Sequence, residues 1–127
     1  MDDLHIEPID SWERQPDSDN AVNDAFLIKE THVTPLIRSI VNIGRRHEND
    51  VVIDDPRVSR SHAQLRLING QYILFDLNST GGTFVNGRRI DHIIVYSGDV
   101  ISFAGVDFVF KVSGTQPRPD LKETDRF

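Results

Sequence analysis

Three short stretches of the chain concentrate the residues able to do chemistry. Gly44-Arg45-Arg46 follows an apolar run. Ser59-Arg60-Ser61-His62 follows Asp54-Asp55-Pro56-Arg57. Asp76-Leu77-Asn78-Ser79-Thr80-Gly81-Gly82-Thr83 leads to the turn Asn86-Gly87. Two chemistries compete for them. Ser59 or Ser61 with His62 and Asp76 supplies the residue types of a hydrolytic triad, but no nucleophile-elbow spacing accompanies them, so the chain is expected not to be an enzyme. Anion binding uses the same residues more fully. The planar fork of Arg45 can take two phosphate oxygens. Ser59 and Thr80 can each donate a short hydroxyl bond, and Gly81-Gly82 lets backbone N–H groups converge on an anion. Each feature alone is ordinary in a loop. Their occurrence together, in three loops of one small chain, points to phosphate.

Other chemistries find little support. The chain has no cysteine, which removes thiolate metal sites, disulfides and a Cys nucleophile. Its five histidines, at 5, 32, 47, 62 and 92, lack paired metal-ligand spacing. No Gly-x-x-x-x-Gly-Lys-Ser/Thr nucleotide loop is present. Neither a metal nor a cofactor is expected.

The elements that must position these loops read as strands. Phe26-Leu27-Ile28 is a short apolar run, and Lys29 to Pro35 is polar and reads as a turn. Leu36 to Ile43 is rich in β-branched residues and ends at Gly44. Val51-Val52-Ile53 is stopped by Asp54-Asp55-Pro56, because proline cannot donate to a sheet ladder. Residues 63–67 alternate apolar and polar, then Asn69-Gly70 and Asn86-Gly87 give two strong hairpin signals. Val100 to Phe103 and Val106 to Val112 flank Ala104-Gly105, with Phe108, Phe110 and Val112 on one face. About ten or eleven short strands without a convincing helix make an all-β, two-sheet sandwich the expected class.

Charge divides the chain. Residues 1–24 carry eight acids and one base, while the other 103 residues carry twelve acids and thirteen bases. The net charge of -6 therefore belongs to the lead, and the body is nearly neutral. A broad nucleic-acid footprint needs a basic body, so none is expected. The expected organisation is an acidic flexible tail over 1–24, one domain over 25–113, and a polar tail over 114–127. No apolar run approaches the roughly 20 residues that span a membrane. The N-terminus lacks the order of a signal peptide, and a cytoplasmic, monomeric protein is the expectation.

Gly44-Arg45, Ser59-Arg60-Ser61-His62, the run from Asp76 to Gly87, and Ser97-Gly98-Asp99-Val100-Ile101 together resemble the forkhead-associated (FHA) family, over roughly residues 26–112. The resemblance implies an eleven-stranded β-sandwich that binds phosphothreonine peptides through loops at one end, without catalysis. By position it implies phosphate contacts from Arg45, Ser59, Arg60 and Thr80. It implies that Arg57 reads the third residue after the phosphothreonine. Gly44, His62, Gly82 and Asn86 match positions that shape the site. One departure stands out: the family usually has Asn where this chain has Gly81, and that amide clamps the peptide backbone. Two functions follow as expectations. The first is a module recognising phosphothreonine on a partner protein in kinase-dependent signalling. The second is a structural interaction domain whose phosphate site is degenerate at Gly81. A phosphorylated tail, at Thr115 or Thr124, is a further candidate ligand for the domain's own site.

Overall fold

The computed structural model describes residues 24–114. The expectations for the two tails, including Thr115 and Thr124, fall outside the described residues. Eleven strands follow one another: β1 (Ala25–Lys29), β2 (His32–Pro35), β3 (Ile40–Gly44), β4 (Val51–Val52), β5 (Ala63–Ile68), β6 (Gln71–Asp76), β7 (Thr83–Val85), β8 (Arg88–Arg89), β9 (His92–Val95), β10 (Val100–Phe103) and β11 (Val106–Val112). They form a six-stranded sheet in the order β2-β1-β11-β10-β7-β8 and a five-stranded sheet in the order β4-β3-β5-β6-β9. Only the short β3–β4 pairing is parallel among the described residues.

The local chemistry explains the turns. Asn69 and Gly70 have φ of 51° and 82°, and Asn86 and Gly87 have 50° and 86°. Two successive positive φ values match the right-handed twist of the flanking strands, and Asn and Gly tolerate them best. Ala104-Gly105 makes the same turn, with Ala104 at φ 52°.

Two expected boundaries differ. Residues 29–35 are not all turn, because His32–Pro35 forms β2, paired from Phe26↔Pro35 to Lys29↔His32 around Glu30 at φ 56°. Its polar sequence suits an edge strand with β1 as its one neighbour in the sheet. The following strand begins at Ile40 rather than Leu36. Leu36 is buried where the chain leaves β2, and its N–H donates to Ala25 O at 2.8 Å.

The core lies between the sheets. Leu27, Ile43, Leu65, Leu74, Ile101, Phe103 and Phe110 are wholly buried. Phe108, Phe110 and Val112 do face inward together. Burial of each such side chain contributes about 1.5–3 kcal/mol, enough to fix the strand ends from which the loops spring. Phe103 carries the core to the loop end, edge-on to His62 at 5.7 Å between ring centroids.

Candidate functional site

Four connections meet at one end of the sandwich: the β3–β4 loop, the β4–β5 loop, the β6–β7 loop and the β10–β11 turn. Between them lies an open cavity of about 630 Å³, lined by Arg45, Pro56, Arg57, Val58, Ser59, Arg60, Thr80, Gly81 and Ala104. No lining residue is acidic. Every residue expected to touch phosphate or peptide therefore borders one space, although they come from three separate loops.

Gly44 makes the first junction possible. A Cβ there would collide with the Arg60 carbonyl oxygen. Without it, the β3–β4 and β4–β5 loops run against each other. Arg45 N–H donates to Ser59 O at 3.0 Å and Arg46 N–H to Arg60 O at 3.2 Å. Asn49 Nδ2 donates to both Arg46 O and Arg60 O at 2.8 Å. The Arg45 side chain is then aimed by one bond, from Nε to Val58 O at 2.9 Å. Arg45 borders the cavity from that anchor.

Ser59 is oriented from both ends. Its N–H donates to His62 Nδ1 at 3.0 Å, and its Oγ accepts from Thr80 N–H at 3.1 Å. An oxygen that already accepts has its own proton free to donate, which is what an anion needs. His62 is fully buried. Because Nδ1 accepts, its proton sits on Nε2, which donates to Gly82 O at 2.9 Å. His62 thus ties the β4–β5 loop to the β6–β7 loop and does not line the cavity.

The β6–β7 loop crosses from one sheet to the other, and Asp76 pins it. Asp76 accepts from Ser79 Oγ and Thr83 Oγ1, each at 2.6 Å, and from Ser79 N–H at 3.1 Å. Ser79 Oγ in turn accepts from Gly82 N–H at 3.0 Å. Burial pushes the Asp76 carboxyl up, but the bonds from Ser79 and Thr83, with His62 nearby, hold it below its ordinary value. Asp76 and His62 therefore act as two separate braces. They share no bond among those described, and neither forms a triad with Ser59 or Ser61.

Arg57 has a different setting from Arg45. Its Nε and Nη2 both go to Asp55, at 3.0 and 2.9 Å, and its N–H donates to Asp55 Oδ1 at 2.9 Å. That pairing holds the Asp55 carboxyl down at about 2. The remaining Nη1 lies over Gly105, where an added Cβ would stand 3.1 Å away. One guanidinium nitrogen is left for a ligand. Arg60 is exposed, with no side-chain bond among the described residues.

Asn86 lies elsewhere. Its Nδ2 donates to Asp99 Oδ1 at 3.0 Å and its Oδ1 accepts from Val100 N–H at 2.9 Å. It locks the β7–β8 turn to the start of β10 and does not border the cavity. Ala104 and Asn49 are the contributors that motif reading overlooks. Ala104 reads only as a hairpin turn, and Asn49 only as one polar residue in a polar loop.

A family model for the FHA domain matches residues 41–104, half of the chain. The chain belongs to the FHA family. The matched span includes every residue lining the cavity. This FHA domain is 42% identical over 78 residues to the ABC transporter ATP-binding/permease protein Rv1747 of Mycobacterium tuberculosis, covering 61% of this chain and 9% of that protein. It is 33% identical over 85 residues to the glycogen accumulation regulator GarA of the same organism, covering 67% of this chain and 52% of that one. Among solved structures it is similar to M. tuberculosis EmbR in complex with a low-affinity phosphopeptide. There the TM-score is 0.69 at 32% identity, over 75% of this chain and 26% of that one. The chain spans about half or less of the length of these relatives.

Proposed function

We propose that this FHA domain recognises phosphothreonine on a partner protein, and that it does so by binding alone. The observation that carries the reading is one acid-free cavity bordered together by Arg45, Ser59, Arg60 and Thr80. A phosphothreonine brings about -1.5 to -2 charge at pH 7 and three acceptor oxygens. Arg45 and Arg60 supply forked donors, Ser59 supplies a pre-aimed hydroxyl, and Thr80 supplies a second. Three or four charge-assisted bonds, at about 1.5–3 kcal/mol each, must outweigh an association cost of several kcal/mol. A net near -8 kcal/mol, about micromolar, is the expected balance. Removing the phosphate removes most of the favourable side, so the domain reads a phosphorylation state. The solved EmbR complex, with its phosphopeptide, supports the ligand class.

The reading extends to kinase-dependent signalling, with the domain acting as a monomeric cytoplasmic module. No helix among the described residues is long and apolar enough to cross a membrane. The nearly neutral body argues for a peptide ligand over nucleic acid. A phosphorylated tail of this same chain, at Thr115 or Thr124, is a second candidate for the cavity. The degenerate-site alternative rests on Gly81 alone. The phosphate-side residues stand together without it, so the binding reading is favoured.

Titration calorimetry with a phosphothreonine peptide library and its unphosphorylated twins tests the proposal. Binding should need the phosphate and fall at least about tenfold in Arg45→Ala. Absence of heat with every phosphopeptide, from a folded domain, would refute it.

A further inference from the structure

Gly81 and Ala104 stand side by side in the cavity wall. A Cβ added to Gly81 would lie 2.5 Å from Ala104 Cβ, 3.3 Å from Ala104 Cα and 3.3 Å from Arg57 O. Carbon atoms in contact prefer about 3.5–4.0 Å, so a side chain at 81 requires a neighbour to move. Ala104 has no torsion with which to swing its methyl away.

The backbone on either side is anchored as well. Ala104 N–H donates to Gly82 O at 2.9 Å, the same oxygen that accepts from His62 Nε2. His62 is held by Ser59 N–H and packs edge-on to Phe103. On the other side, Thr80 N–H is bonded to Ser59 Oγ. Gly81 thus sits between two tethered residues, against a methyl group that cannot retreat.

Ala104 is itself an uncommon choice. At φ 52° it occupies the left-handed region, where glycine carries no steric penalty and alanine does. The chain keeps a methyl group there, and the methyl borders the cavity. Strain held at a ligand-facing wall points to a role in what the wall accepts.

We propose that Ala104 is a specificity-determining residue of the phosphopeptide site. It excludes a side chain at position 81, so the wall offers the ligand one methyl group and bare backbone, and no side-chain amide. Without an amide to clamp the peptide backbone in one register, the domain reads the phosphate and tolerates changes in the residues immediately flanking the phosphothreonine. The inference rests on the phosphothreonine reading above.

Four proteins test it: the natural chain, Gly81→Asn, Ala104→Gly and the double variant. Each is measured by thermal unfolding. Each is also titrated with one phosphothreonine peptide and two versions changed only at the residues immediately before and after the phosphothreonine. Gly81→Asn alone should lower Tm by at least about 5 °C and weaken binding about tenfold or more. Adding Ala104→Gly should restore Tm. It should also tighten the parent peptide by up to about tenfold, the worth of one added neutral hydrogen bond. The double variant should separate the three peptides by about fivefold or more, where the natural chain separates them by about twofold or less. Gly81→Asn with natural Tm and affinity would overturn the assignment, as would a double variant no more selective than the natural chain. If the natural chain binds no phosphothreonine peptide, the function falls with it. Recovery of Tm in the double variant then still shows which part of the argument failed.

Discussion

Ser59→Ala separates the two jobs of one oxygen. In the free domain Ser59 Oγ accepts from Thr80 N–H at 3.1 Å. In the complex the same hydroxyl would donate to phosphate. Loss of the first bond should cost about 0.5–1.5 kcal/mol of stability, since Thr80 is exposed and water can replace the acceptor. Loss of the second removes a bond to a charged group, about 1.5–3 kcal/mol of binding. That is a rise in Kd of about 10- to 150-fold. Backbone geometry should persist, because Ser59 N–H still meets His62 Nδ1 and Ser59 O still accepts from Arg45 N–H. Calorimetric titration with a phosphothreonine peptide gives the binding loss, and urea unfolding gives the stability loss. Ser61→Ala is the control, since Ser61 is exposed and borders no part of the cavity. Ser59→Ala binding within about twofold of the natural domain, or an equal loss in Ser61→Ala, would refute the assigned role.

Three further outcomes follow from the same geometry. Gly44→Ala should destabilise the domain by about 1–3 kcal/mol, because its methyl meets the Arg60 carbonyl and pries apart two loops. Chemical denaturation measures the loss, and phosphopeptide affinity should fall in parallel. Asp76 titrates below its ordinary 3.8 in the folded chain. Its stabilising share is therefore present above that value and lost as pH falls through the lower folded one. Asp76→Asn should be less stable at pH 7 and show a flatter acid limb below about pH 4, read by thermal melts across pH. Binding should weaken between pH 7 and about pH 5, as the phosphate takes up its second proton near 6. The Asp55–Arg57 pair should not contribute to that change, because Asp55 stays charged down to about pH 2. Titrations at several pH values, with an α,α-difluorophosphonate ligand of lower second pKa as reference, check the assignment.

The strands were legible where residue type answers a local demand. Alternation along residues 63–67 follows the two-residue period of a half-buried strand. Asn69-Gly70 and Asn86-Gly87 answer a demand for positive φ. The arginine, hydroxyl and glycine signals at 44–45, 59–60 and 80–82 depend on residue type too, and most of the residues they single out border the cavity. β2 escaped notice because an edge strand needs no apolar alternation. Its place is decided by pairing with β1, a contact that composition does not report.

Tertiary structure decided the rest of the site because those effects act through space. His62 carries a reactive side chain, yet burial and two backbone partners 3 and 20 positions away make it a brace. Arg57 and Arg45 read alike in a sequence, but Asp55 occupies two nitrogens of the first while a carbonyl aims the second. Asn86 lies in the motif run but at a turn outside the cavity. Gly81 reads as a missing amide. Only the folded chain shows why nothing larger fits there: Ala104 arrives from 23 residues away and fills the space. Residue type determined the chemistry available to this protein. Distances between residues remote in sequence determined which groups face the cavity and which are spent on holding the loops.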